Sequence, residues 1–432
     1  MLGFSFSPDE ELVEAELRQL WEEGFDVSGL HDELRRVGPR YFLSDLILLR
    51  DLLPRRRGYG YVEPTSIEGI LEARPKGWHY TPEAISSGEI REKVLGGWVG
   101  RVVGCMLGKP VEGWSRKKIK DRLLKVGEYP LNYYFPSSAF TEEELASRRE
   151  LVREEIREAA RDDDVDYTIL NLLVYEEHGP DFTAFDVADA WLRLLPYMQV
   201  YTAERATYRN LILGLKPPAT AVFLNPYREW IGAQIRADLW GYVNPCKPER
   251  AATMAYRDAC ISHVKNGVYG EMFVAACIAA AFSADDLVSV VRTGLSQIPA
   301  DSRYAEAVRH VIKMYRRELS WEAAMDEIEE LYGNYHPVHV INNAAVVVAA
   351  LLWSEEDFSK AVTLAVMGGW DTDCNGATVG SIMGVYLGSC GLPEKWWKPL
   401  NDTVRSSVFR MDGSSLRGLA ERTVKAMKKW GY

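Results

Sequence analysis

Two groups of aspartates carry the chemistry that this sequence suggests most directly. Asp162, Asp163 and Asp164 stand together in ARDDDVDYTIL, and Asp371 and Asp373 form an Asp-x-Asp pair in GGWDTDC. Each group heads a segment with helical periodicity, where a single aspartate is enough to cap free N–H groups and complement the helix dipole. Three adjacent carboxylates repel one another. A divalent cation that prefers oxygen ligands, Mg²⁺, Mn²⁺ or Ca²⁺, is the counter-charge such clusters suit. Capping and metal binding are the two readings for both groups.

The elements that must position these carboxylates are marked by glycine. In GGWDTDCNGATVGSIMGVYLG the residues Gly376, Gly380, Gly384 and Gly388 fall four apart, and in GGWVGRVVGCMLGKPVEGW so do Gly96, Gly100, Gly104 and Gly108. Residues four apart share a helix face. Each glycine costs a helix about 1 kcal/mol relative to alanine, so the ladders need a packing gain to offset them. Close backbone approach supplies it, and the two helices are predicted to cross at short distance in the core. A membrane helix pair is the rival reading of such ladders. Arg101 interrupts one of them and neither apolar run is long enough to span a bilayer.

Helical periodicity recurs over Glu10–Glu23, Phe42–Leu53, Val165–Glu177, Ala184–Leu195, Glu249–His263, Glu271–Phe282, Ser302–Glu318, Trp321–Leu331, Asn342–Leu352, Phe358–Met367 and Leu416–Lys429. No alternating run competes with these, so the predicted fold is all-α. Residues 54 to 88, rich in Pro, Gly and aromatics, read as a join between an N-terminal helical extension (1–88) and a main domain (89–432). The highly charged segment from Thr141 is expected to be a solvated surface helix.

Composition excludes several functions. The chain has 432 residues, 47 % of them hydrophobic, and a net charge of −11, so neither nucleic acid nor an anionic membrane is an expected partner. The six cysteines show no CxxC pairing, and the acidic start MLGFSFSPDEELVE has no apolar leader core. A reducing, cytoplasmic setting is the expectation.

Four segments, in order, resemble the ADP-ribosylglycohydrolase family of the dinitrogenase-reductase-activating type, over approximately residues 90 to 390. GGWVGRVVGCMLGKPVE is similar to the family's opening helix and DDDVDYTIL to its first aspartate motif. IGAQIRADLWGYVNPCKPERA through SHVKNGVYGEMFVAACIAAAF is similar to its substrate loop and the Thr-His region that follows, and GGWDTDCNGATVGSIMGVYLG to its closing aspartate helix.

The resemblance implies a compact multi-helix fold and a centre of one or two metal ions, usually Mg²⁺, with Mn²⁺ or Zn²⁺ as alternatives. It makes Asp163, Asp164, Asp371 and Asp373 the ligands, with Asp162 beside them where the family has Thr. Glu112, which ends GKPVE, falls on its active-site glutamate, and Asp164 is the aspartate expected to share in catalysis. Gln234 and Arg236 fall in the loop that approaches phosphate and ribose, although an ion pair of Arg236 with Asp238 or Asp258 is the alternative. His263 and Asn266 fall in the region lining the cleft, with a structural cap at a helix end the alternative for His263, and Trp370 is an insertion before the DTD that adds a substrate-facing ring. Cys374 and Cys105 replace oxygen-bearing residues, and a thiol is a poor partner for Mg²⁺.

The function these features imply is metal-dependent hydrolysis of a ribosyl glycosidic bond, in an ADP-ribosylated protein or an ADP-ribose derivative. Two alternatives stand beside it: a hydrolase of a smaller nucleoside or glycoside, and a non-catalytic member on the same fold.

Overall fold

The Ser87–Gly108 and Thr372–Leu387 helices lie antiparallel, backbone against backbone, at the centre of the protein. A computed structural model describes residues 10–38, 52–78 and 80–431. A Cβ atom added to Gly96, Gly100 or Gly104 would sit 2.1, 2.0 or 1.9 Å from the carbonyl oxygen of Gly384, Gly380 or Gly376. Only glycine allows such an approach, and the matched spacing on the two ladders sets the register. The last rung departs from a glycine pair: Gly108 meets the carbonyl of Thr372, whose hydroxyl donates a 2.8 Å hydrogen bond to the Gly108 carbonyl.

Other helices enclose this pair. Phe358–Met367, Lys265–Ala281 and Val340–Leu352 pack against the second glycine helix, and Leu416–Lys429 against the first. Lys265–Ala281 is buried on every side after its first residue, which suits its Ala-rich sequence and lack of a polar face. The described residues are almost wholly helical, with one pair of two-residue strands at Thr403–Val404 and Ser414–Ser415. No helix among them is long and apolar enough to cross a membrane.

Most periodic segments form helices close to their expected bounds, Phe358–Met367 and Leu416–Lys429 at both ends. Phe42–Leu53 lies largely outside the described residues. The charged segment from Thr141 is a correction: only Glu142–Ala146 is α-helical, and Leu151, Val152 and Ile156 enter the core. The chain there is tied to extended neighbours, with Arg153 N–H donating to Phe135 and Ala159 N–H to Thr403, and these contacts displace the helical ladder.

The Glu10–Glu22 helix sits on the main body through buried charge as well as through Val13, Leu17 and Leu20. Arg228 is wholly buried and pairs with Glu16 at 2.8 Å and Glu23 at 2.6 Å.

Candidate active site

The glycine register delivers Glu112 to the Asp-x-Asp motif. Past Gly108 the first glycine helix ends in a short 3₁₀ turn, Lys109–Val111, which opens with Pro110 near its start and releases Glu112 in an extended conformation. The backbone then zips to the second motif: Gly113 N–H donates to Trp370 at 2.9 Å, and Trp370 N–H donates to Trp114 at 3.0 Å. Trp370 holds a left-handed backbone, φ 62°, and Gly369 has φ 79° with the Arg116 nitrogen 2.6 Å from where a Cβ would lie. Such a turn needs glycine at 369 and strains the inserted tryptophan. Its result is that one oxygen each of Glu112, Asp371 and Asp373 lies within 4.8 Å of the others.

The tri-aspartate motif arrives from the other side, on the Asp163–His178 helix. Asp162 caps that helix, its Oδ1 accepting from Asp164 N–H at 2.9 Å. Lys109 pairs with the other Asp162 oxygen. Asp164 is buried and held on both oxygens: Arg101 Nη2 donates to Oδ1 at 2.9 Å, and the Cys374 thiol donates to Oδ2 at 3.2 Å. Asp164, Asp373 and Cys374 therefore form a second group of ligand atoms within 4.8 Å, and Asp162, Asp163 and Asp164 a third. Asp373 belongs to two groups and Asp164 to two, so the motifs converge although Cys374 and Asp164 are 210 positions apart.

Six carboxylates crowd this region, and the cations contacting them are Lys109 and Arg101, the latter shared with Asp238 at 3.0 Å. The imbalance shifts their titration. Repulsion from Asp373, then desolvation of its carboxyl among the crowded acids, pushes Glu112 up to about 9, although the residue as a whole is exposed. Burial, then Asp162, raises Asp373 to about 6. Burial and neighbouring carboxylates hold Asp163, Asp164 and Asp371 well above the usual carboxylate range. Asp162 is the exception: burial, the largest single effect, raises it, but the charge and hydrogen bond of Lys109, the Asp164 N–H and Arg161 together lower it. Asp373 Oδ1 is buried without a hydrogen-bond partner in the protein. A buried orphan oxygen among uncompensated carboxylates is the donor set a hard divalent cation fits.

Arg101, Lys109 and Asn343 shape the site beyond the expected residues. Asn343 Oδ1 accepts from the Asp371 N–H at 3.3 Å and from Asn375 Nδ2 at 2.8 Å, which fixes the head of the second glycine helix. The signal for Arg101 was present in the sequence, since an arginine inside a glycine ladder must be neutralised where it is buried.

Of the other residues expected to face substrate, Gln234, Arg236, His263 and Asn266 lie in the interior. Arg236 is wholly buried and pairs with Glu204 at 2.6 Å, Asp258 at 3.0 Å and Glu271 at 3.5 Å. A desolvated guanidinium needs those acids, so it is not free for a diphosphate. Gln234 accepts from the Tyr304 hydroxyl at 2.9 Å, and His263 is buried with Nδ1 2.8 Å from Ser262 Oγ. Asn266 donates to Glu229 and Glu63 at 2.7 and 2.8 Å. Trp370 alone of this group stands beside the carboxylates, half-buried.

Residues 86–432 match the family model of the ADP-ribosylglycohydrolases. A solved structure described as an ADP-ribosylglycohydrolase-related protein complex is 19 % identical, with 80 % of this chain and 100 % of that chain covered at a TM-score of 0.48. No curated protein matches.

Proposed function

Because the chain belongs to the ADP-ribosylglycohydrolase family, we propose that it hydrolyses a ribosyl glycosidic bond with a divalent cation, in an ADP-ribosylated protein or an ADP-ribose derivative. Residues 89–432 are its catalytic domain and 1–88 an N-terminal extension, and the six free cysteines suit a cytoplasmic setting. Asp163, Asp164, Asp371 and Asp373 would hold the ion, with Asp162 alongside. Carboxylate oxygens favour Mg²⁺, then Mn²⁺; Zn²⁺ would require Cys374 to give up its proton. Once bound, such an ion neutralises the carboxylates and polarises a water and the ribose hydroxyls.

The remaining chemistry falls to the protein's own groups. Glu112, whose carboxyl its neighbours push upward, stands beside the DTD motif and donates a proton to the leaving atom. Asp164 was the expected base, but both its oxygens accept hydrogen bonds from Arg101 and Cys374. Asp163, a partly exposed residue, takes that role in our reading, once a bound cation offsets the burial and repulsion that hold its carboxyl protonated. One carboxyl acting as acid and a second as base is the division of labour that glycosidic bond cleavage uses.

The observation that carries this reading is the convergence of Glu112, the DTD motif and the tri-aspartate motif on overlapping groups of ligand atoms. Its test is hydrolysis of an ADP-ribosylated peptide with Mg²⁺, with chelator and with the Asp371→Ala protein. Turnover that needs both the ion and Asp371 is expected, and turnover unaffected by either overturns the reading.

A smaller nucleoside or glycoside is the second reading. It is favoured by the commitment of Arg236 to buried acids, which leaves its loop without a free basic side chain for a diphosphate. Faster cleavage of a simple riboside than of an ADP-ribose conjugate would select it.

A further inference from the structure

A cleft of about 490 Å³ opens where Pro75 and Trp78 approach the Leu287–Leu295 and Arg303–Arg316 helices. It shares no residue with the carboxylate cluster. Trp78, Leu295 and Ile312 give it an apolar wall, and Trp78 is fixed by an indole N–H bond of 3.3 Å to Thr293. Arg292, Arg309, Lys313 and Arg316 also line it, and no acidic residue among the described residues does. The last three follow one helix face at spacings of four and three.

Among the described residues none of these four cations pairs with a carboxylate. Arg309 donates to the Ala300 carbonyl, and the Arg292 guanidinium lies 4.2 Å from the Trp78 ring centroid. Glu306, on the same helix, accepts from the Tyr61 hydroxyl instead. Solvated helix faces usually interleave both signs of charge. Four unneutralised cations around an apolar concavity, in a chain of net charge −11, make a local positive focus that attracts anions.

We propose that this cleft is a second ligand site, for a free nucleotide. The volume falls in the range of small-molecule sites. The apolar wall suits a flat base, and indole rings favour stacked or edge contacts with such rings. Several cations, three of them arginines, suit a phosphate head better than a single carboxylate, because arginine can bind phosphate through two parallel hydrogen bonds.

The test is titration of the full chain, with Mg²⁺ present, by AMP, adenosine and inorganic phosphate, followed by calorimetry and tryptophan fluorescence. Saturable AMP binding is expected, tighter than either fragment. Lys313→Glu with Arg316→Glu should weaken it by about 10-fold or more, the effect of losing a charged hydrogen bond. Trp78→Phe should remove the fluorescence change, and Asp371→Ala should leave AMP binding intact. The milder pair Lys313→Gln and Arg316→Gln, with melting curves, guards against a folding artefact. No saturable binding, phosphate binding as tight as AMP, equal affinity in the charge-reversed protein, or loss of binding with Asp371→Ala would each overturn the proposal.

Discussion

The Gly104 Cα faces the Gly376 carbonyl so closely that a methyl group at Gly104 would lie 1.9 Å from that oxygen. The same contact fixes where Glu112 meets Asp373, because both stand a few residues beyond this rung. Gly104→Ala should therefore destabilise the fold by about 3 kcal/mol, the upper part of the usual overpacking range, since the opposing atom is backbone and cannot rotate away. It should also weaken cation binding in the protein that remains folded. Denaturant unfolding and metal titration check this, and an unchanged midpoint would mean that the helices can separate cheaply.

Cation binding itself should stabilise the protein. At one hundred times its dissociation constant, a ligand that binds only the folded state adds about 2.7 kcal/mol. Asp373→Ala, which removes the orphan Oδ1, should abolish the gain. Thermal shifts with Mg²⁺ and Mn²⁺, together with elemental analysis, decide it; equal shifts in parent and variant would place the ion elsewhere.

Stability of the metal-free protein should fall as pH rises. Glu112 titrates near about 9, chiefly through Asp373, and Asp373 near about 6, chiefly through burial, while Asp163, Asp164 and Asp371 are also raised. Groups with raised folded values bind more protons folded than unfolded, so their favourable contribution is complete below about pH 4 and lost upward through their folded values. Lowered Asp162 acts oppositely, contributing above its unfolded value and losing that contribution as pH falls through its folded one. The net expectation in chelator is a melting temperature that declines from about pH 5 to about 9, and one that declines less with saturating Mg²⁺. A metal-free melting temperature that rises across this window contradicts it.

Glu112→Gln should lower turnover by roughly 10²-fold or more while keeping the fold and the cation, if Glu112 protonates the leaving atom. Its pH profile should also lose the alkaline decline that a titrating general acid imposes. Unchanged turnover, or a decline that persists, would remove Glu112 from proton transfer.

Arg236→Ala should cost about 3–5 kcal/mol, the loss expected when one partner of a buried ion network is removed. Glu204, Asp258 and Glu271 would be left without their guanidinium. Equilibrium unfolding measures this. A stable Arg236→Ala protein with selectively weakened ADP-ribose binding would return Arg236 to the substrate.

The sequence by itself determined the helical class, the two aspartate motifs and the pairing of the glycine ladders. These follow from local periodicity and from residue types whose cost in a helix has few remedies, so they are written in adjacent positions of the chain. Trp370 too was visible, as an insertion, though not its left-handed turn that ties Glu112 to the DTD motif. Tertiary structure alone decided which polar residues line the site and which are buried in the core. Arg236 and Arg101 look alike in sequence, each an arginine in an apolar stretch. Folding sends one to Glu204, Asp258 and Glu271 and the other to Asp164 and Asp238. Spacing along the chain carries no record of that choice, because a buried charge is neutralised by whichever opposite charge packing brings within reach.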